Sequence, residues 1–287
     1  MCIRDSTYPM PELPEVETVT QGIRTKLINK KIKQVLVYRR DLRFSMDPKF
    51  EKKVKGAKIN NVSRRAKYIL IQLDNNITLI IHLGMSGRIA IENLNNNNKR
   101  IFKHTHLEFI TSNKKKLKFI DPRRFGSILI CQTSNLYKHK LLKNLAPEPL
   151  SPEFCKNYLL NSLKFRKTNI KSIIMNQLVV VGVGNIYASE SLYKAKIKPN
   201  RIAMSLTSIE CDRLVKSIKK VLKRSIKLGG SSINDYSLVD GNLGFFQREF
   251  EVYGREGKLC RKKTCKSRIL RIVIGQRSSF YCNKCQK

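Results

Sequence analysis

The stretch Tyr68-Ile69-Leu70-Ile71-Gln72-Leu73-Asp74-Asn75-Asn76-Ile77-Thr78-Leu79-Ile80-Ile81-His82 reads as two apolar strands joined by a polar turn. Aspartate and asparagine are turn residues, and the flanking runs are the right length for strands, so the segment predicts a β-hairpin over 68–73 and 77–83. Outward from it, further segments of β character lie at 32–38, 88–91, 107–111, 117–120 and 127–131. Many short strands without alternating helices predict an antiparallel sandwich or barrel ending near residue 133, with 93–100 as a polar surface loop. Ahead of the strands, Val16, Val19, Ile23 and Leu27 recur at helical spacing and predict one amphipathic helix, with Pro14 tolerated in its first turn.

Beyond residue 133 the pattern changes. Residues 134–150 read as a linker that runs into the proline-rich Ala146-Pro147-Glu148-Pro149-Leu150-Ser151-Pro152, where Ser151 and Pro152 are expected as N-cap and first helical residue. Residues 151–249 then read as helical. Thr207-x-x-Glu210 is a capping-box pattern, Leu214, Ile218, Val221, Leu222 and Ser225 share one face, and Gly229-Gly230 stops the helix. A Cys-rich module at 250–287 closes the chain. The class is therefore α+β: a helix-led β domain over 10–133, a helical domain and a small terminal module.

The 287 residues carry 58 Lys and Arg against 21 Asp and Glu, a formal net charge of +37 spread from end to end, which points to a polyanionic partner. With 41 % apolar residues the chain has material for about two cores. No apolar run approaches the ~18 residues of a membrane-spanning helix, and a membrane partner is not expected. Residues 1–9 lack the apolar stretch of a secretory signal, so the eight cysteines are expected in a reducing compartment, the cytoplasm.

Cys260-x4-Cys265-x16-Cys282-x2-Cys285 places two thiol pairs at the ends of two short hairpins, the spacing with which a zinc ribbon surrounds one structural Zn2+. Four protein ligands leave no open position for chemistry. Cys2, Cys131, Cys155 and Cys211 are expected to be inert, the last three in core-like contexts. The four histidines, His82, His104, His106 and His139, have no HExxH-type spacing. Gly182-Val183-Gly184-Asn185-Ile186-Tyr187 leads into a helix whose first N–H groups suit a phosphate, although a GxG sequence also serves as a plain tight turn. Asp121-Pro122-Arg123-Arg124-Phe125-Gly126 and His82-Leu83-Gly84-Met85-Ser86-Gly87 offer Arg, Phe and Met on loops, either as wedges for a base stack or as ordinary core and surface residues.

Taken in order with Pro11-Glu12-Leu13-Pro14-Glu15-Val16-Glu17-Thr18 after Met10, Arg64-Arg65-Ala66-Lys67-Tyr68 and Ala188-Ser189-Glu190, these motifs resemble the bacterial formamidopyrimidine-DNA glycosylases over residues 10–287. The resemblance implies an N-terminal β-sandwich, a helix-two-turns-helix domain and a zinc finger, with damaged duplex DNA held between the domains by a monomer that needs no organic cofactor. It implies excision of oxidised purines and scission of the abasic strand by β,δ-elimination. Pro11 is the implied amine nucleophile, Glu12 the group that moves the proton during sugar-ring opening, and Lys67 and Arg277 the proton donors for β- and δ-elimination. An α-amine has a reference pKa near 8 (about 7.7–8.0), so part of it is neutral at physiological pH. His104, Arg123 and Arg166 match DNA contacts, Lys171 and Asn185 match phosphate-binding positions, and Met85, Arg123 and Phe125 match the residues that fill the gap left by the extruded nucleotide. Glu15 is expected to be structural or to line the pocket, and the region 229–246 to shape lesion preference.

Two departures accompany the resemblance. Met10-Pro11 resembles the family's start, which makes residues 1–9 an expected non-native extension, and the first thiol pair is spaced x4 where the family commonly has x2. Two other functions fit parts of the pattern: an endonuclease VIII-like glycosylase for oxidised pyrimidines, and a non-catalytic zinc-ribbon protein that binds nucleic acid by charge alone.

Overall fold

The computed structural model describes residues 10–94, 103–231, 239 and 244–287. The expected extension at 1–9, most of the polar loop at 93–100 and most of the 229–246 region lie outside the described residues. The chain divides into two compact units, one of Pro14–Asn144 with Gly229–Gly244, the other of Met1–Leu13, Leu145–Leu228 and Phe245–Lys287.

The first unit opens with α1 (Leu13–Leu27), whose Val16, Val19, Ile23 and Leu27 are all buried. Then follow β1 (Ile32–Val37), α2 (Phe50–Val54), β2 (Ile59–Arg65), β3 (Tyr68–Leu73), β4 (Ile77–His82), β5 (Arg88–Asn93), β6 (Thr105–Thr111), β7 (Lys115–Ile120) and β8 (Ser127–Gln132). They form two four-stranded antiparallel sheets, ordered β1-β6-β7-β5 and β2-β3-β4-β8, so the choice between sandwich and barrel falls to the sandwich. Ile69, Ile71, Leu79 and Ile81 from one sheet and Leu107, Phe109, Leu117 and Phe119 from the other share a single core with the apolar face of α1. Each such side chain contributes about 2 kcal/mol when taken fully out of water. The opening hairpin pairs Tyr68 with His82 and Gln72 with Thr78, and Asn76 turns the chain at φ +62.

Strand β2 and the short α2 have no counterpart in the sequence reading. β2 is an edge strand with only Ile59 and Val62 fully buried, so its sequence Ile-Asn-Asn-Val-Ser-Arg-Arg lacks both alternation and an apolar run.

The second unit contains α3 (Lys156–Leu163), α4 (Ile170–Ile174), α5 (Asn185–Ala195), α6 (Ser208–Lys227) and the hairpin of β9 (Leu270–Ile274) with β10 (Arg277–Tyr281). α6 carries the full Thr207–Glu210 capping box, buries Leu214, Ile218, Val221, Leu222 and Ser225, and ends before Gly229 and Gly230 at φ +77 and +79. The expected helix start at Ser151-Pro152 is corrected: Ser151 N–H and Oγ both bond back to the Glu148 carbonyl in a turn, and α3 begins only at Lys156 behind Cys155. The stretch at 134–150 also holds a short 3-10 helix, Thr133–Lys138. Among the described residues, no helix is long and apolar enough to cross a membrane.

Candidate active site

Glu12 is 3 % exposed and lies at the N-terminus of α5. Its carboxylate accepts N–H groups from Gly184 at 2.7 Å, Ile186 at 2.9 Å and Tyr187 at 3.4 Å. A helix start concentrates unpaired donors and positive dipole, so an anion there is stabilised. Three of the amides at this helix start are thus taken by a carboxylate of the chain itself. The two glycines make the approach possible: a Cβ on Gly184 would stand 2.3 Å from Glu12 Cδ, and one on Gly182 would stand 2.5 Å from Leu13 Cδ1. Leu13 N–H closes the contact by donating to the Gly182 carbonyl at 3.1 Å. Pro11, one residue ahead of Glu12, is buried.

Next to Glu12's amides, Asn185 accepts from Lys171 Nζ at 2.5 Å. Lys171 is 1 % exposed and donates also to Ser279 Oγ at 2.6 Å and the Ser278 carbonyl at 3.1 Å. This cluster joins the helical part of the unit to β10. Arg277, exposed, precedes Ser278 just after a tight turn in which Gly275 and Gln276 have φ +54 and +61, so its side chain stands at the hairpin tip. Arg166 is exposed on the loop before α4, its Nε bonded to the Ser162 carbonyl at 2.8 Å.

In the β unit, Asp121 organises four of the expected DNA-contacting residues. Fully buried, it accepts Ser86 Oγ at 2.5 Å on one oxygen and Gly126 N–H at 2.7 Å on the other, while its own N–H donates to the His104 carbonyl at 3.1 Å. His106 bonds the Asp121 carbonyl at 2.8 Å, and Ser86 Oγ in turn accepts Arg123 N–H at 3.1 Å. The loops bearing Met85, His104, Arg123 and Phe125 are thereby pinned to one residue, through both its carboxylate and its backbone. Gly84, at φ +66, lets the first loop touch the third, since a Cβ there would meet the Phe125 carbonyl carbon at 2.4 Å. Phe125 remains 38 % exposed with the Arg123 guanidinium 5.1 Å from its ring centroid, and Met85 is half-buried, so neither is an ordinary core residue.

Lys67, half-buried, sits in the turn between β2 and β3. Beside it, burial, with Lys67 and Arg43 adding repulsion, pushes the His82 imidazole down to about 4. It is neutral at physiological pH, consistent with its Nδ1 accepting Gly84 N–H at 3.0 Å. Glu15 accepts Ser231 N–H at 2.8 Å and Ser231 Oγ at 3.0 Å, an anchor for the chain entering the 229–246 region.

Sγ atoms of Cys260, Cys265, Cys282 and Cys285 lie within 4.8 Å of one another, with Cys260–Cys285 at 3.9 Å and Cys265–Cys282 at 3.7 Å. Four thiolates at about 2.3 Å from one tetrahedral ion stand about 3.8 Å apart, so the tetrad can hold a metal ion as it is. The second pair follows β10, and the first sits on a minimal hairpin closed by the Leu259–Arg268 bridge. Of the other cysteines, Cys211 alone among those described is buried; Cys131 is half-buried and Cys155 exposed, which corrects their core-like placement.

Residues 10–128 match the formamidopyrimidine-DNA glycosylase N-terminal domain, and residues 145–237 match the formamidopyrimidine-DNA glycosylase H2TH domain. The formamidopyrimidine-DNA glycosylase of Glaesserella parasuis serovar 5 is 44 % identical over 278 residues, covering 97 % of this chain and 99 % of that one. The chain belongs to the formamidopyrimidine-DNA glycosylase family. Membership makes it a DNA glycosylase and AP lyase of base-excision repair. Two solved Lactococcus lactis Fpg structures have closely similar folds. A mutant with Fapy-dG-containing DNA superposes with TM-score 0.88 at 32 % identity, covering 96 % of this chain and 100 % of that one. The wild type with DNA containing an oxidised pyrimidine gives TM-score 0.87 at 31 % identity, with the same two coverages.

For this formamidopyrimidine-DNA glycosylase family member, the sequence reading singled out the motif around Asp121 but not its central carboxylate, and it missed Ser279 beside Lys171. It quoted Glu190 of α5 within a motif but gave it no role; 3 % exposed, Glu190 accepts the N–H groups of Glu251, Val252 and Tyr253 at 2.9, 3.0 and 2.8 Å. Burial outweighs those three bonds and raises its pKa. The usable signal was a lone acid on the apolar side of a helix.

Proposed function

We propose that this glycosylase excises oxidised purines, 8-oxoguanine and formamidopyrimidines, from duplex DNA through a Schiff base on the amine of Pro11, with zinc in the cysteine tetrad. Glu12, caged by three amides, carries this reading, because a carboxylate held beside the nucleophile is placed to shuttle a proton as the sugar opens. Attack of the Pro11 nitrogen on C1′ forms the new C–N bond and expels the base. C1′–O4′ then breaks as Glu12 passes a proton to O4′, and the resulting protonated imine acidifies the C2′ proton; loss of that proton breaks C3′–O in the β-step, with Lys67 protonating the departing phosphate, and loss of the C4′ proton breaks C5′–O in the δ-step, with Arg277 protonating the second one. Met85, Arg123 and Phe125, exposed or half-exposed on pinned loops, fill the space of the extruded nucleotide. Arg166, Asn185 and His104 bind the strand around it, and Lys171, buried with its ammonium on Asn185, Ser278 and Ser279, holds Asn185 in place rather than meeting the phosphate itself. Zinc holds the finger's shape and takes no part in the chemistry.

An amine at Pro11 exists only when nothing precedes it. Borohydride trapping on a duplex with 8-oxoguanine opposite cytosine is expected to cross-link a chain starting at Pro11, with the adduct mapping to Pro11, and to leave the 1–287 chain free. No adduct in either chain, or an adduct on a lysine, overturns the reading. A thymine glycol duplex serves as the second arm, because a related Fpg has been solved with an oxidised pyrimidine.

A further inference from the structure

We propose that Glu17 and Arg64 are positioning residues that aim Lys67 for the β-elimination step, an inference that rests on the role given to Lys67 above. Arg65 pairs with Tyr68 to close the β2–β3 ladder, so Ala66 and Lys67 alone make the connection. Two-residue connections follow the strand twist when their first residue has positive φ, a position that glycine fills at no steric cost. Here it is Ala66, fully buried at φ +53. A left-handed alanine is strained and persists only where its surroundings hold it.

Arg64 supplies that hold. Its Nη1 donates to the Ala66 carbonyl at 2.9 Å, and its Nε donates to Glu17 Oε2 at 2.7 Å. The carbonyl belongs to the peptide that enters Lys67, so fixing it fixes the plane from which the Lys67 side chain departs. Glu17 lies on α1, and the Arg64 and Glu17 side chains are only 9 % and 17 % exposed, which shields the pair from solvent screening. A second α1 residue, Arg24, donates Nε to the Val62 carbonyl at 2.8 Å, so the helix holds β2 at two points leading into the turn. The helix that begins one residue after Glu12 thus also sets the turn that carries Lys67.

The test uses the full chain starting at Pro11 on a duplex with a preformed abasic site, reading Schiff-base trapping and strand scission separately. Glu17→Gln is expected to trap at the wild-type rate, to nick about tenfold more slowly and to melt close to wild type. Arg64→Lys, which cannot reach both acceptors from one planar group, is expected to share the defect. Ala66→Gly added to Glu17→Gln restores nicking, because glycine takes the left-handed conformation without support. Wild-type nicking by Glu17→Gln beside a slow Lys67→Ala overturns the positioning role alone. That role also falls if trapping and nicking decline together, or if Ala66→Gly does not rescue. Wild-type nicking by Lys67→Ala overturns the role of Lys67 itself and the proposal with it.

Discussion

Gly184 sets how closely Glu12 approaches the helix that cages it. A methyl group there would sit 2.3 Å from the Glu12 carboxyl carbon, so Gly184→Ala must push the carboxylate off its three amides. Single-turnover release of 8-oxoguanine by this variant is expected to fall about a hundredfold if Glu12 has the proton-shuttling role proposed for it, with the melting transition moved by only a few degrees. The glycine was visible in the sequence as a helix entry, and its partner was not. Nothing local to residues 182–187 names an acid 172 residues upstream, so the site's central contact became legible only in three dimensions. Lys171 shows the same limit: its position was readable, while its bond to Ser279 spans 108 residues.

Among the elements, those with a strong local pattern were legible and those defined by their neighbours were not. The hairpin of β3 and β4 was readable because apolar residues dominate both sides of a short polar turn. Strand β2 escaped because it lies at a sheet edge and only two of its residues are fully buried; with it escaped the turn that carries Lys67. The cysteine module was readable because paired thiols at metal-ligand spacing are a local sequence pattern, and the four Sγ atoms do come together. Its buried cluster consists of Val252, Cys260, Cys265, Ile269 and Cys282, so three of the five members belong to the tetrad that can hold a metal ion. Such a core has little to hold it together once the ion is gone. Stripping the metal with a chelator is expected to melt 250–287 and abolish lesion-duplex binding while leaving the β-sheet signal in circular dichroism intact. Re-addition of zinc restores binding; retention of full affinity by the metal-free protein would contradict the proposed finger.

For the whole molecule the dominant fact is +37 of formal charge on 287 residues. Each phosphate neutralised on duplex DNA adds about 0.9 to the slope of log affinity against log salt, so an interface using about six gives a slope near −5 (about −5.4) between 50 and 200 mM (roughly the range where the law holds). A flat dependence measured on an undamaged duplex would mean that the charge serves something other than DNA. The cage around Glu12 carries a consequence for how the enzyme comes into being. Glu12 is among the first described residues, and the amides that hold it belong to residues 172 to 175 positions later. A ribosome makes the strands of the sandwich long before it makes residue 184. During that interval the growing chain is already strongly basic, but its carboxylate has no cage, so with the role proposed for Glu12 a partly synthesised or prematurely ended polypeptide is expected to cling to DNA without cutting it.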